Sequence, residues 1–252
     1  AIYTHKKIEK DKKSINIYKY KYDRVFDYKP LKADKAKRGL IGIPRVLNMY
    51  ENYPFWHTFL TELGFSVVLS AKSTKDIFEK GISSIASDTV CYPAKLVHGH
   101  IEDLIEKGIK TIFYPSVTHE FREDPDSDNH FNCPVVTSYP EVIKSNMDSL
   151  EENNIRFINF FITLNDKNKL KKRIYSALKY HYPDLRQDEI NKAIDMATKE
   201  YDLFKAQVRQ KGEEAVAYLE ENNLKGIVLA GRPYHLDPEI NHGIPELINS
   251  LG

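Results

Sequence analysis

Gly39-Leu40-Ile41-Gly42-Ile43-Pro44, then Pro54-Phe55-Trp56-His57-Thr58-Phe59-Leu60-Thr61-Glu62-Leu63-Gly64, then Phe65-Ser66-Val67-Val68-Leu69-Ser70 is the stretch that decides the fold. A short apolar run ends at a proline and reads as a buried strand. The second run opens with proline near a first helical turn, and Gly64 stops it. The third is again a short apolar run rich in β-branched residues. Strand, crossover helix, glycine, strand is the signature of a βαβ unit in a parallel sheet.

The pattern continues downstream. Lys75 to Lys80 reads as a short helix stopped by Gly81, and Pro93 to Lys107 as a longer one stopped by Gly108. Ile109 to Pro115 reads as a third strand, Asp124 to Asn129 as an acidic loop, and Pro134 to Tyr139 as a fourth strand. A helix is expected from Pro140 to Leu150. From about 167 to 222, apolar residues recur at helical spacing (Ile190, Ile194, Ala197, Tyr201, Phe204, Val208) among lysines and glutamates, predicting two or three packed helices. Gly226 to Tyr234 reads as a new strand and Asn241 to Gly252 as a helix with its glycine stop. The fold class expected is α/β: a parallel-sheet, flavodoxin- or Rossmann-like three-layer lobe with a helical excursion and the start of a second α/β lobe. The divisions are a Lys- and Tyr-rich arm over 1–38, the α/β lobe over 39–165, the helical segment over 166–223 and the first βα unit of the second lobe over 224–252. Ala1 at the start and Leu251-Gly252 in mid-pattern read as the ends of a piece cut from a longer protein.

Composition narrows the function. With 41% hydrophobic and 29% charged residues, the 252-residue chain is ordinary for a globular protein. A net charge of +1 gives no electrostatic case for nucleic acid. The run Lys6, Lys7, Lys10, Lys12, Lys13 is diluted by Glu9 and Asp11 and reads as a solvated arm. No stretch approaches the roughly 18 apolar residues of a membrane span, and there is no signal-peptide core, so a cytoplasmic protein is expected. No phosphate loop, dinucleotide fingerprint or nucleophile elbow is present.

The only two cysteines lie in Asp88-Thr89-Val90-Cys91-Tyr92-Pro93-Ala94-Lys95 and Phe131-Asn132-Cys133-Pro134. Proline lacks an N–H and holds the residue before it extended, so each cysteine belongs at the edge of an element. Cys91 is expected just before a helix, where the helix N-terminus and Lys95 favour negative charge. Cys133 is expected at a strand entrance. Their separation fits no local zinc-ribbon or C-x-x-C pattern. Ordinary semi-buried cysteines, a metal or cluster site, and a disulfide all remain open on spacing. His98 and His100, at i and i+2 on one helix, cannot ligate one metal together; a structural role is the default, and one of them could still face a site. His119 and His130 fall in loops around Cys133. Arg45 and Arg232, with His235 beside the latter, follow parallel strands, where a guanidinium can meet a carboxylate or phosphate.

Several segments together resemble one family. They are Ile43-Pro44-Arg45-Val46-Leu47, Tyr53-Pro54-Phe55-Trp56, Ser87 through His100 around Cys-Tyr-Pro-Ala-Lys, Asn132-Cys133-Pro134 through Glu141, and Gly231-Arg232-Pro233-Tyr234-His235 with Asp237 to Gly243. The set resembles the large bacterial 2-hydroxyglutaryl-CoA dehydratase activator-type proteins. In those, ATPase-type activase modules precede a region like the 2-hydroxyacyl-CoA dehydratase and benzoyl-CoA reductase subunits. The resemblance spans roughly residues 20–252 and implies two α/β lobes and a 4Fe-4S iron–sulfur cluster in the full protein. Cys91 and Cys133 become the implied ligands. The dehydratase subunits use three cysteines, so the third position falls on Ser116 or beyond this chain. Implied with it are low-potential electron transfer or thioester reduction or dehydration, an anaerobic bacterial setting, activase modules of the same longer chain as partners, and an acyl-CoA thioester met by Arg45, Lys95, His98, Arg232 or His235. A homodimer stays open. The alternative is a cluster-free lobe that docks a partner subunit or an acyl-CoA.

Overall fold

The computed structural model describes residues 15–251. The lysine arm expected between Lys6 and Lys13 lies outside them. The α/β class holds: four parallel strands form one sheet in the order β2-β1-β3-β5, and two more form a small parallel sheet, β4-β6.

In chain order, α1 (Ile17–Val25) leads to β1 (Leu40–Ile43), α2 (Met49–Glu62), β2 (Ser66–Leu69), α3 (Lys75–Gly81), α4 (Tyr92–Glu106) and β3 (Thr111–Phe113). Then come β4 (Ser116–His119), α5 (Pro134–Asn146), α6 (Ser149–Glu152), β5 (Arg156–Ile158) and β6 (Phe161–Thr163). The long helices α7 (Lys167–His181) and α8 (Gln187–Glu221) follow, and two short ones, α9 (Pro238–Asn241) and α10 (Ile244–Ser250), end the chain. The opening βαβ reading is met by β1, α2 and β2, paired in parallel from Leu40 with Ser66 to Ile43 with Leu69. Helix α2 begins five residues earlier than its proline suggested, and Pro54 lies within it. Right-handed crossovers leftward to β2 and rightward to β3 place α2 and α4 on opposite faces of the sheet. On the α2 side, α8 and α1 pack behind it; on the other, α4 is flanked by α3 and α5. The N-terminal arm thus contributes a helix to the body of the fold.

Three expectations are corrected. Residues 134–139 are the start of helix α5, not a strand, and the helix continues through Pro140 to Asn146. Gly226 to Gly231 forms no strand: Ile227 is 68% and Val228 93% exposed, and among the described residues no strand pairs with the segment. The segment 154–163, for which the sequence reading predicts no strand, supplies β5 and β6. These last two continue one path, as do β3 and β4. The two paths are stitched across the break by Tyr114 N–H to Ile158 O (3.0 Å) and Ser116 N–H to Phe160 O (3.0 Å).

The core is aromatic. Phe55, Trp56, Phe59, Phe65 and Phe113 are fully buried, with the Trp56 and Phe113 rings 5.0 Å apart. The turn from β1 into α2 holds Leu47 at φ 44°, a left-handed conformation that a branched side chain adopts only when its surroundings fix it. Leu47 is almost wholly buried. The order β2-β1-β3-β5 reverses between β1 and β3, and in open α/β sheets ligands bind outside the carboxyl ends of the strands at that reversal. The turn at Leu47 therefore opens on the place where a site belongs.

Candidate functional site

Cys91 is the N-cap of α4 and Cys133 the N-cap of α5, each followed by proline in the first turn. Placing Cys133 at a helix rather than a strand entrance corrects the sequence reading and makes the two cysteines alike. Both have the extended ψ of a cap (148° and 134°), and neither uses its side chain to cap. The partial positive charge of two helix starts thus lies beside the sulfurs, with proline removing one N–H from each first turn. Both thiols are free, Cys91 exposed and Cys133 half-buried. Tyr234 ties them together: burial raises its phenol pKa, and negative charge on Cys91 and then on Cys133 raises it further. Tyr139 is pushed to about 12 by burial and by the charge of Cys91. Cys133 and Tyr234 line the same cavity, and the helices that the two cysteines start pack against each other.

Cys133 also lines a cavity of about 160 Å3 with Asn48, Glu120, His130, Phe131, Asn132, Val136, Arg232, Pro233 and Tyr234. Its floor is a carboxylate that sequence reading passed over. Glu120 follows β4, while Asn48 precedes α2 just after β1, so they face each other across the strand-order reversal. Asn48 Nδ2 and Asn132 Nδ2 donate to Glu120 Oε1, the latter at 2.6 Å, and Asn52 Nδ2 donates to Oε2 at 2.8 Å. Burial raises the Glu120 pKa; the three amides oppose the shift without reversing it. The signal in the sequence was faint: Asn48 and Asn52 at i and i+4, and the Asn of Asn-Cys-Pro.

The other candidates separate. Arg232 stands exposed at the cavity mouth, its backbone N–H donating to His235 Nδ1 at 2.8 Å. Arg45 turns away, donating to the Tyr22 hydroxyl at 3.0 Å with its guanidinium 4.4 Å from the Phe26 ring centre. Lys95 Nζ donates to the Asp88 carbonyl at 2.8 Å, closing the loop before Cys91. His98 is buried, its Nδ1 2.8 Å from Ser84 Oγ and its Nε2 3.1 Å from the Tyr139 hydroxyl. Ser116 opens β4 rather than lying in a loop; it is fully buried, and its hydroxyl donates to Asn159 Oδ1 at 3.1 Å. His119, expected in a loop, is instead the last residue of β4, its ring tilted against that of Phe131 with centres 4.1 Å apart.

A parallel α/β domain whose two cysteines cap neighbouring helices beside a polar cavity is the class these features define. The chain belongs to the family described as CoA enzyme activase uncharacterised domain (DUF2229), which matches residues 40–252. No curated protein and no solved structure matches it. Family membership supports the activator theme and a CoA-enzyme partner. Among the described residues, no helix is long and apolar enough to cross a membrane, and no group of three or more His, Cys, Asp or Glu could hold a metal ion.

Proposed function

We propose that this CoA enzyme activase domain serves an activase-coupled system related to the 2-hydroxyacyl-CoA dehydratases, as the part that accepts a low-potential electron. Cys91 and Cys133 supply two ligands of a 4Fe-4S cluster, and ATPase-type modules of the same longer cytoplasmic chain are the partners. The observation that supports this is the matched geometry of the cysteines, each at a proline-started helix N-terminus, with the two helices packed together. Two thiols with uncapped helix starts behind them fit two corners of an anionic cluster. The described residues offer no full ligand set, so the remaining donors come from elsewhere. Such a cluster supplies one-electron chemistry at low potential. The chain's own part is to hold the sulfurs, screen one side with Tyr139 and Tyr234, and present Arg232 and the Glu120 floor to whatever enters beside Cys133. Arg232 is the residue suited to meet an acyl-CoA phosphate or carboxylate.

Iron and sulfide content after anaerobic purification of the full-length protein tests the reading. Iron with absorbance near 400 nm, lost in Cys91→Ala, is the expected result. Unchanged iron in Cys91→Ala would sink the assignment. A colourless, iron-free protein would instead favour a cluster-free docking lobe, for which the exposed Ile227, Val228, Leu247 and Leu251 speak.

A further inference from the structure

Cys133 sits in a bracket of polar contacts that reaches well beyond its own loop. Residues 118–120 and 130–132 pair antiparallel around the bridge of His119 with Phe131. Glu120 N–H donates to the His130 carbonyl and Asn132 N–H to that of Thr118, each at 3.0 Å. Asn132, the residue before the cysteine, then uses its whole amide. Its Nδ2 donates to Glu120 Oε1 (2.6 Å) and to the Val117 carbonyl (3.0 Å), and its Oδ1 accepts from Asn48 Nδ2 (2.5 Å). A turned amide would set its oxygen against a carboxylate and a carbonyl, so one orientation fits. On the far side of the cysteine, Thr137 N–H donates to the Cys133 carbonyl and Thr137 Oγ1 to the same Val117 carbonyl, both at 3.0 Å.

Glu120 is the hub of this bracket. Its Oε1 accepts from Asn132 and Asn48 and its Oε2 from Asn52. One carboxylate thus joins the loop that carries the cysteine to the N-cap and first turn of α2. We propose that Glu120 is the positioning residue of the Cys133 thiol: acting through Asn132, it lets α2, beside the strand-order reversal, set where the sulfur stands. The loop before Cys91 is tied to its own neighbours instead, Lys95 Nζ to the Asp88 carbonyl and Ser87 Oγ to Thr89 Oγ1. The two cysteines therefore differ, one held by the body of the fold and the other by its own loop. This arrangement requires no iron, so it is the same whether or not a cluster binds.

A carboxylate in this place acts on the thiol by its hydrogen bonds, which hold the loop, and also by its charge. Glu120→Gln separates the two. The new side chain keeps an oxygen for Asn48 and Asn132 but carries no charge. Asn52 Oδ1 has no partner of its own, so that amide can turn over and accept from the N–H that replaces Oε2.

Alkylation of Cys133 by iodoacetamide tests the role on the full chain without added iron, with Cys91 as the internal reference and peptide mass spectrometry as the readout. Rates taken across a pH series distinguish the two effects. A change of charge moves the midpoint of the profile, while release of the loop raises its alkaline plateau, where the thiolate is fully formed. Asn132→Ala, which cuts the link and leaves Glu120 with Asn48 and Asn52, should raise the Cys133 plateau several-fold relative to that of Cys91. Glu120→Ala should do the same, and the double variant should go no further than either single one, because both cut one connection. Glu120→Gln should keep the native plateau. Should Glu120→Ala fail to fold, with three amides left seeking a partner, Asn132→Ala and Glu120→Gln still decide. An unchanged plateau in Asn132→Ala, or additive gains in the double variant, would overturn the role. So would a plateau in Glu120→Gln raised as far as in Asn132→Ala.

Discussion

His57, His98 and His100 lie in the interior, and burial drives each imidazole down, to about 4 for the first two and about 3 for the third. An unfolded chain protonates them near 6.5, while the folded chain keeps them neutral. Their contribution to stability is therefore full above pH 6.5 and drains away as pH falls from there toward 4. Glu120 and Asp237, whose folded pKa values are raised, pull the other way at lower pH, so the clean measurement is a difference. His57 packs between Tyr28 and Tyr53, and Phe in its place keeps the stack. Urea unfolding of the native protein should lose about 1 kcal/mol more between pH 7 and 5.5 than that of His57→Phe. Equal losses would show that His57 is not held neutral. At this scale the sequence revealed chemistry by residue type but not by company. The cysteines stood out because there are two. Glu120 did not, because its role depends on Asn48 and Asn52 at the start of α2 and on Asn132 before α5, and the i, i+4 spacing of the first two does not say what they meet.

Helix α5 shows how an element can be misread and why. Val135-Val136-Thr137 is a β-branched run, which favours a strand by propensity. A proline at the first helical position and Tyr139, Pro140 and Ile143 turned together into the core outweigh it. Gly226 to Gly231 fails in the opposite sense. Its apolar run suits a strand, but a strand exists only by pairing, and no neighbour is offered among the described residues. Helices stopped by glycine were legible because their signals are local. Between α3 and α4 the glycines do something else. A Cβ on Gly99 would come within 1.7 Å of the Ile77 carbonyl oxygen, and one on Gly81 within 2.3 Å of the Gly99 nitrogen, so the two backbones touch there. Gly99→Ala should therefore lower stability by about 1–3 kcal/mol or more, since backbone cannot yield as a side chain does. Gly212, inside α8 with nothing within 4 Å, should behave oppositely: Gly212→Ala should stabilise by about 0.5–1 kcal/mol. Both are read from urea midpoints, and a shared sign would refute the packing argument.

Over the whole molecule, the last stretch of chain divides into a free part and an anchored part. Ile227 and Val228 stand in solvent, yet a few residues later Asp237 is buried. Its Oδ2 accepts from the hydroxyls of Tyr50 (2.5 Å) and Ser73, and Ser73 Oγ lies 3.0 Å from His100 Nε2. Tyr92 adds a hydrogen bond to Glu239 at 2.9 Å. Through these bonds α2, the loop after β2 and α4 all hold one segment, and that segment carries Arg232, Pro233 and Tyr234 as a wall of the Cys133 cavity. The anchor was invisible in sequence because its members lie far apart along the chain. If it positions the wall, Asp237→Ala should uncover Cys133, while Cys91, already exposed, has little left to gain. The substitution leaves two hydroxyls seeking partners and should cost about 1–3 kcal/mol, which a folded spectrum at neutral pH would show to be tolerated. Under limiting iodoacetamide, peptide mass spectrometry should then find alkylation of Cys133 raised several-fold and that of Cys91 changed less than twofold. Equal acceleration at both cysteines would mean general loosening rather than a released wall. No change at either would mean that the segment keeps its place without Asp237.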